Sequence, residues 1–156
     1  MENRKFFRKK EEFKDRVLDM RRVTRVVAGG KRFKFRATVV IGDQKGRVSV
    51  GIGKGVDVAG AVEKAKADAK KKIVTAKIVK GTVPHEVEAK YGAARVLLKP
   101  AKEGHGLIAG GAVRVVLSLA GVKDISAKCL GRTTNKLTNA LATIEALKKL
   151  KFNPKS

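Results

Sequence analysis

The sequence has few of the residues on which several functional classes depend. It holds a single cysteine, Cys129, which excludes an internal disulfide and a cysteine-rich zinc module and favours a reducing setting. The two histidines, His85 and His105, have no cysteine or histidine at ligand spacing. We therefore predict neither a metal site nor a bound cofactor, and we interpret His105, between two glycines, as an exposed loop contact.

Long hydrophobic runs are also missing. No window approaches the roughly 18 uninterrupted apolar residues that a membrane helix needs. The charged N-terminus lacks the apolar segment and cleavage site of a signal peptide. We therefore expect a cytoplasmic protein with no membrane partner. An apolar content of 43% in 156 residues is still enough for one ordinary domain or two small ones.

Acidic residues are scarce. The 14 Asp and Glu face 37 Lys and Arg, which gives a formal charge of +23. Such an excess destabilises a compact chain by self-repulsion, so a polyanionic partner explains it better than solubility does. We expect that partner to be nucleic acid. The acids form no general acid–base pair, and Ser118 lacks the setting of a catalytic nucleophile, so no enzyme activity and no catalytic residue are predicted.

The stretch Lys31–Gly55 is the part of the sequence that most directly predicts both a structural element and a ligand-binding surface. Between Phe33 and Ile41, apolar residues alternate with mostly cationic ones, a period of two that is typical of a strand. Turn residues follow at 42–46, and the alternation resumes to Ile52. We predict a hairpin that is apolar on one face and basic on the other. Phe33 and Phe35 fall on its apolar face and are predicted to be core residues, which favours recognition of the RNA backbone and shape.

The elements around this hairpin predict an α+β fold in two units. Residues 1–16 form a basic tail, and residues 17–77 form a β-β-β-α unit whose helix, capped by Asp57, follows the third strand. The apolar face of this helix is predicted from residues that recur at helical spacing: Val58, Val62, Ala65, Ala69 and Ile73. Residues 82–150 form a second unit of order β-β-α-β-α, and residues 151–156 are a short tail. In that unit we predict Gly121 at the end of the first helix and Thr134 or Asn135 as the cap of the second.

Two glycine-rich segments suggest other chemistry. Gly104–Ala109 matches the dinucleotide pattern GxGxxA, with Asp124 twenty residues on. The pattern fails on context, because no strand ends directly before it and Asp124 precedes its strand. Gly51–Gly55 either lets an RNA phosphate approach the backbone or marks a bend at the end of the strand, and the sequence leaves both open.

Two long motifs carry a resemblance to a known family. They are GKRFKFRATVVIGDQKGRVSVGIGK at residues 30–54 and ARVLLKPAKEGHGLIAGGA at residues 94–112, the second followed by LAGV at residues 119–122. This pattern resembles the bacterial form of the fifth protein of the small ribosomal subunit. The resemblance implies a first domain like a double-stranded-RNA-binding fold and a second α/β domain with a left-handed crossover.

The same resemblance implies a function and partners. The family binds small-subunit ribosomal RNA at the junction of head and body, aids assembly and influences translational accuracy. It contacts the fourth and eighth small-subunit proteins, lies near messenger RNA and is not a homo-oligomer. By position, residues 23–25 and 29–30 would approach head RNA: Val23, Thr24, Arg25, Gly29 and Gly30. Gly104, Gly106 and Arg114 would fall at the interface with the fourth protein.

The cations of the hairpin region complete the predicted RNA interface. They are Arg22, Arg25, Lys31, Arg32, Lys34, Arg36, Arg47 and Lys54. The alternative function is a free-standing RNA chaperone or a factor that unwinds messenger RNA, which the same hairpin would serve. Three positions depart from the family pattern: Ser49 replaces a usual glycine, His105 replaces a small polar residue, and the loop at residues 133–136 is altered and longer.

Overall fold

The computed structural model describes residues 13–151, which form two four-stranded sheets and three helices. The first half contains β1 (Lys14–Val27), β2 (Gly30–Gly42), β3 (Arg47–Gly55), α1 (Val58–Lys70) and β4 (Val74–Thr75). The second half contains β5 (Val87–Tyr91), β6 (Ala94–Pro100), β7 (Leu107–Ile108), α2 (Gly111–Ala120), β8 (Ile125–Cys129) and α3 (Lys136–Lys149). The predicted α+β class is confirmed.

The two sheets differ in strand order. The first sheet has the order β1-β2-β3-β4 and is antiparallel throughout. The second has the order β5-β6-β8-β7, in which only β7 and β8 are parallel, joined through α2. The short strands β4 and β7 were not predicted, because two residues are too few to show a period.

The predicted N-terminal tail is too long by three residues. Lys14, Asp15 and Arg16 belong to β1, where they pair with Gly42, Ile41 and Val40 of β2. These three residues are exposed, so no apolar alternation marks them as a strand. Most of the remaining N-terminal tail, residues 1–12, and most of the C-terminal tail, residues 152–156, lie outside the described residues.

The helix boundaries follow from local capping. The Asp57 carboxylate accepts the N–H of Gly60 and begins α1, and the Asn135 side chain, rather than that of Thr134, accepts the N–H of Leu137 and begins α3. Gly121 adopts φ 93° and ends α2. These caps are among the features that the sequence predicted.

Helix α1 lies directly on the backbone of β3. Gly51, Gly53 and Gly55 face it, and an added Cβ would lie 2.2 Å from the Ala65 oxygen at Gly51 and 2.4 Å from the Ala61 oxygen at Gly53. The strand does end at Gly55, as one interpretation of Gly51–Gly55 had it, but the packing of these glycines against α1 is a role that neither interpretation included. The same close approach requires small residues on α1, so its buried face is Ala61, Ala65 and Ala69, whereas Val58, predicted on that face, is 46% exposed.

The inner part of the first sheet is buried on both faces. Ala37, Val39 and Ile41 form a small core with the alanines of α1. On the opposite face, Val40 belongs with Val48 to a larger cluster that includes residues of α2, α3 and the second sheet. The period of two in β2 is therefore confirmed, but the face predicted to be basic becomes core from Thr38 inward.

Backbone hydrogen bonds also join the two halves. The N–H of Gln44 donates to the Leu119 oxygen at 3.0 Å, and that of Gly46 donates to the Ala120 oxygen at 2.9 Å. The turn between β2 and β3 therefore contacts the end of α2. The two halves share one continuous core and these direct bonds.

Ser49 continues the line of glycines on β3 and is 1% exposed. Its hydroxyl oxygen finds no hydrogen-bond partner among residues 13–151. A buried unsatisfied hydroxyl costs about 1–3 kcal/mol, so Ser49→Ala is expected to raise the free energy of unfolding by about 1 kcal/mol. Urea denaturation of the unsubstituted chain and of Ser49→Ala measures this difference in unfolding free energy. Ser49→Gly also removes the hydroxyl but frees the backbone and should give little gain, whereas a clear loss in Ser49→Ala would contradict the assignment.

Candidate nucleic-acid interface

Strands β1 and β2 extend beyond the rest of the first sheet. The last residue of β3, Gly55, pairs with Phe35, and past this pair β1 and β2 continue alone to a turn at Ala28 and Gly29. We call residues 22–34 the arm. Gly30 adopts φ +138° where the chain re-enters β2, a conformation that favours glycine. The predicted contacts Gly29, Gly30 and Lys31 therefore lie at the tip of the arm.

The register sorts the side chains of the arm onto two faces. Residues directly opposite each other in an antiparallel pair share a face, and Arg32 pairs with Arg25, Lys34 with Val23, and Arg36 with both Arg21 and Lys54. This set, the cationic face, consists of Arg21, Arg25, Arg32, Lys34, Arg36 and Lys54. All are exposed except Arg36, which is half-buried. Five of these six residues were predicted from the sequence.

The charge of this face is poorly compensated by the residues that the structure describes. Residues 20–42 contain no Asp or Glu. The neighbouring carboxylate of Asp19 lies 2.7 Å from Arg21 Nε and 3.7 Å from Lys136 Nζ. Like charges directly opposite across a strand pair are destabilising, as at Arg25 and Arg32. An external anion would relieve this repulsion.

A hollow of about 590 Å³ opens on the arm. Its lining combines apolar side chains with cations and consists of Val23, Thr24, Arg25, Val27, Arg32, Phe33, Lys34 and Lys54. No acidic residue is among these described lining residues. The hollow brings together six of the residues that the sequence predicted to touch RNA.

Phe33 is not a core residue, so that prediction is wrong. Phe35 is half-buried and packs against the small core under α1, but Phe33 lies two residues farther along the arm and is 48% exposed. Helix α1 does not extend over the arm, so alternation alone could not bury this ring. The guanidinium of Arg22 lies over it, 4.7 Å from the ring centroid.

Arg47 lies away from the arm. It begins β3 and pairs with Thr75, at the opposite end of the strand from Lys54. Its Nε donates to Asp43 Oδ2 at 2.6 Å, and its guanidinium lies 4.9 Å from the centroid of Phe13. The predicted RNA contact at Arg47 is therefore not part of the cationic face.

The carboxylate of Asp43 organises the turn before β3. Its Oδ1 accepts the N–H groups of Lys45 and Arg47 at 2.8 and 3.0 Å, and its side chain is 3% exposed. Burial alone would raise the pKa of Asp43, but the hydrogen bonds from Arg47 and from the two amides, together with the charge of Arg47, outweigh it and lower the pKa below its usual value. Asp43 therefore has a structural role.

The remaining predicted contacts lie in the second half. Gly104 and Gly106 adopt positive φ in the loop before β7, and His105 between them is exposed. Arg114 is exposed on the first turn of α2. The N–H of Gly106 donates to Asp124 Oδ1 at 2.8 Å. Asp124, the acid of the dinucleotide pattern, therefore stabilises the glycine loop by accepting a hydrogen bond from it. The glycines also precede β7 rather than follow a strand, contrary to that fold.

Sequence reasoning missed Arg21 on the cationic face and the exposure of Phe33 on the arm. Arg21 extends the alternation of β1 onto the cationic face, and the same period of two that identified Arg25 could have found it. The exposure of Phe33 has no signal in the local sequence, because it depends on where α1 begins. Within residues 13–151, no helix has the length and apolarity to span a membrane, and no group of three or more His, Cys, Asp or Glu could hold a metal.

An exposed two-stranded arm, strongly basic on one face and carried by an α+β scaffold, is typical of structural RNA-binding proteins. Two family models match the chain: ribosomal protein S5, N-terminal domain, over residues 13–77, and ribosomal protein S5, C-terminal domain, over residues 89–153. The chain therefore belongs to the ribosomal protein S5 family, which confirms the resemblance.

Individual relatives agree. The chain is 53% identical over 144 residues to small ribosomal subunit protein uS5c of Rhodomonas salina, with 92% of this chain and 85% of that protein covered. It is 48% identical over 140 residues to uS5 of Thermotoga neapolitana, with 90% and 78% covered. It is 51% identical over 142 residues to uS5 of a Campylobacter jejuni strain, with 91% and 96% covered. The family is a non-enzymatic, structural component of the small ribosomal subunit, which confirms the predicted class and ribosomal location.

Proposed function

We propose that this chain binds small-subunit ribosomal RNA through its cationic face, at the junction of the head and body of the subunit. The observation that carries the proposal is the unbalanced charge of residues 21–36, which hold seven Lys and Arg and no acid. Phosphates are the abundant anions of a ribosomal subunit, and cations on an exposed ribbon neutralise them with release of counterions. By holding RNA of both regions, the chain would aid assembly and influence translational accuracy.

The second half carries the proposed protein contacts. Gly104, Gly106 and Arg114 would contact the fourth small-subunit protein, and the eighth protein would also be a neighbour. His105, exposed on the same loop, would contact RNA. The chain would also lie near messenger RNA. We also propose that the chain divides into two domains, the predicted 17–77, extended to begin with β1 at residue 14, and 82–150; the two family models cover residues 13–77 and 89–153.

The salt dependence of RNA binding tests the role of the cationic face. A triple variant, Lys34→Gln, Arg36→Gln and Lys54→Gln, removes three neighbouring charges. Each lost phosphate contact should reduce the slope of log affinity against log salt by about 0.7–0.9, so the slope should fall by roughly 2–3. Filter binding of a small-subunit ribosomal RNA transcript at several salt concentrations measures it.

A second triple variant serves as the control. Lys77→Gln, Lys90→Gln and Lys128→Gln remove the same charge from three exposed lysines that are not part of the cationic face. This variant should keep most of the slope. Equal slopes in the two triple variants would contradict the assignment, because net charge alone would then explain the binding.

The alternative is a free-standing RNA chaperone, which the basic arm would also support. Sedimentation of the endogenous protein separates the two functions. A subunit component stays with salt-washed small subunits in about one copy each, whereas an accessory factor is released. Release into the supernatant at moderate salt would favour the chaperone.

A further inference from the structure

We infer that the chain has a second RNA-binding surface, at the end of the first sheet opposite the arm. This inference rests on the proposed RNA-binding function and adds a second RNA segment to it. Four exposed lysines from separate segments form the surface, where the two halves of the chain meet. We call them the seam lysines: Lys14, Lys45, Lys80 and Lys123.

Two of the seam lysines lie at the turn between β2 and β3. The N–H groups of Gln44 and Gly46, on either side of Lys45, donate to the backbone oxygens of the last two residues of α2. The side-chain Oε1 of Gln44 accepts a hydrogen bond from Lys14 Nζ at 2.8 Å. Lys14 and Lys45 are therefore neighbours at the place where the first half contacts the second.

The other two seam lysines adjoin the same turn. The N–H of Lys123 donates to the Gly81 oxygen at 2.8 Å, so Lys123 lies beside Lys80. Gly121 packs against the backbone of Gln44, since an added Cβ at Gly121 would lie 2.2 Å from the Gln44 oxygen. One region of the surface therefore carries all four lysines.

The positive charge of this region is not balanced by nearby acids. Within residues 13–151, none of the seam lysines forms an ion pair. The acids closest to them in sequence have other partners: Asp15 pairs with a lysine of α1, Asp43 pairs with Arg47, and Asp124 accepts the N–H of Gly106. An external polyanion would neutralise the seam lysines.

The backbone at Lys80 is the second observation. Val79 and Thr82 exchange two backbone hydrogen bonds of 2.9 Å, so Lys80 and Gly81 form a two-residue turn. Both adopt positive φ, 47° and 80°, as in a type I′ turn, whose first position favours asparagine or glycine. A lysine in this conformation costs stability, which indicates that its charge serves a ligand rather than the fold.

A hollow of about 380 Å³ between Gln44 and Lys123 suits a phosphate. Its lining consists of Gln44, Ser118, Gly121, Val122 and Lys123. The side chains of Ser118 and Lys123 can donate hydrogen bonds, and so can the amide nitrogen of Gln44, whose oxygen is already bonded to Lys14. Donors beside uncompensated cations are the groups that bind phosphate oxygens.

The cationic face and the seam lysines are too far apart to share one phosphate. The tip of the arm lies at the start of β2, and Lys45 lies beyond its end. The 13 residues of β2 span roughly 40 Å at about 3.3 Å per residue. The chain would therefore hold two segments of RNA at once, one at each end of β2.

Bridging of two RNA duplexes tests this inference. Each duplex is too short to reach both surfaces, and one carries a donor fluorophore and the other an acceptor. The full chain should bring them together and give energy transfer. The seam variant, Lys45→Gln, Lys80→Asn and Lys123→Gln, loses three phosphate contacts, so the second duplex should bind at least about tenfold more weakly.

A control variant removes the same charge elsewhere. Lys64→Gln, Lys90→Gln and Lys128→Gln replace three exposed lysines that belong to neither surface. This variant should keep most of the energy transfer. Thermal unfolding of both triple variants checks that the fold persists.

The single substitution Lys80→Asn separates the charge from the fold. Asparagine suits the turn better than lysine, so Tm should rise by about 2–4 °C. Loss of one phosphate contact should nevertheless weaken binding of the second duplex by about fivefold near physiological salt. A higher Tm with unchanged bridging would overturn the inference, because Lys80 would then make no RNA contact.

The outcomes also separate this inference from the proposed function. Binding of one duplex without energy transfer would overturn the second surface and leave the RNA-binding function intact. Equal bridging by the seam variant and the control would do the same, and an acidic protein would then be the better partner for the seam lysines. Failure of the unmodified chain to bind any duplex would overturn the proposed function, and the second surface with it.

Discussion

Gly51→Ala is expected to lower the free energy of unfolding by about 3–5 kcal/mol, the upper end of what one small-to-large change does. The added Cβ would lie 2.2 Å from the Ala65 oxygen and 2.4 Å from the Ala69 nitrogen. Both are backbone atoms of α1, so no side chain can rotate away and the helix itself must lift from β3. Denaturant unfolding followed by circular dichroism measures the loss.

Gly29→Ala is the matched control for this substitution. Its added Cβ would meet no atom within 4 Å, and the φ of Gly29 lies outside the left-handed region. We expect a change below about 0.5 kcal/mol, as for other open surface sites. If Gly51→Ala also changed stability by less than about 1 kcal/mol, the contact between α1 and β3 would be looser than described.

Asp43→Ala is expected to cost about 3 kcal/mol of unfolding free energy. The substitution removes the acceptor for two backbone N–H groups and for the Nε of Arg47, in a turn whose carboxylate is almost fully buried. Asp43→Asn keeps an oxygen for the two amides but loses the charged bond to Arg47. It should therefore cost less, about 2 kcal/mol, and denaturant unfolding at pH 7 measures both.

The contribution of Asp43 to the free energy of unfolding is expected to depend on pH. The pKa of Asp43 in the folded state lies below its usual value of 3.8, so the folded protein holds this carboxylate ionised more readily than the unfolded chain does. Its contribution is fully present above about pH 5 and is lost as the pH falls through the folded pKa. The stability difference between the unsubstituted chain and Asp43→Asn should therefore shrink below about pH 4. A difference that stays constant between pH 7 and pH 3 would contradict the role of the charge.

Most of the fold follows from short-range patterns. The alternation in β2, the Asp57 and Asn135 caps and Gly121 at the end of α2 are each set by a few neighbouring residues. The predictions that failed concern residues whose environment is set by contact with a distant part of the chain. The local sequence did not predict that the glycines of β3 pack against α1, because the contact is made by residues of another element. The same close packing explains why alanines, and not Val58, form the buried face of α1.

The candidate site was predictable in part for a similar reason. Its charges follow the period of two, so Arg32, Lys34 and Arg36 were found together. The exposure of Phe33 depends on where β3 ends, because β1 and β2 continue past Gly55 without a third strand. Arg47 is separate from the arm because it lies at the opposite end of β3, paired with Thr75. No local property of the sequence shows that β2 extends beyond the end of the neighbouring strand β3.

The hydrogen bonds from Gln44 and Gly46 to the end of α2 join the two halves rigidly, so the chain would move as one body. A hinge between the two halves would have to break these bonds and open the core that Val40 and Val48 share with the second half. RNA held by the arm and a protein held near Arg114 would therefore keep a fixed separation. A displacement of either one would reach the other as a rotation of the whole molecule.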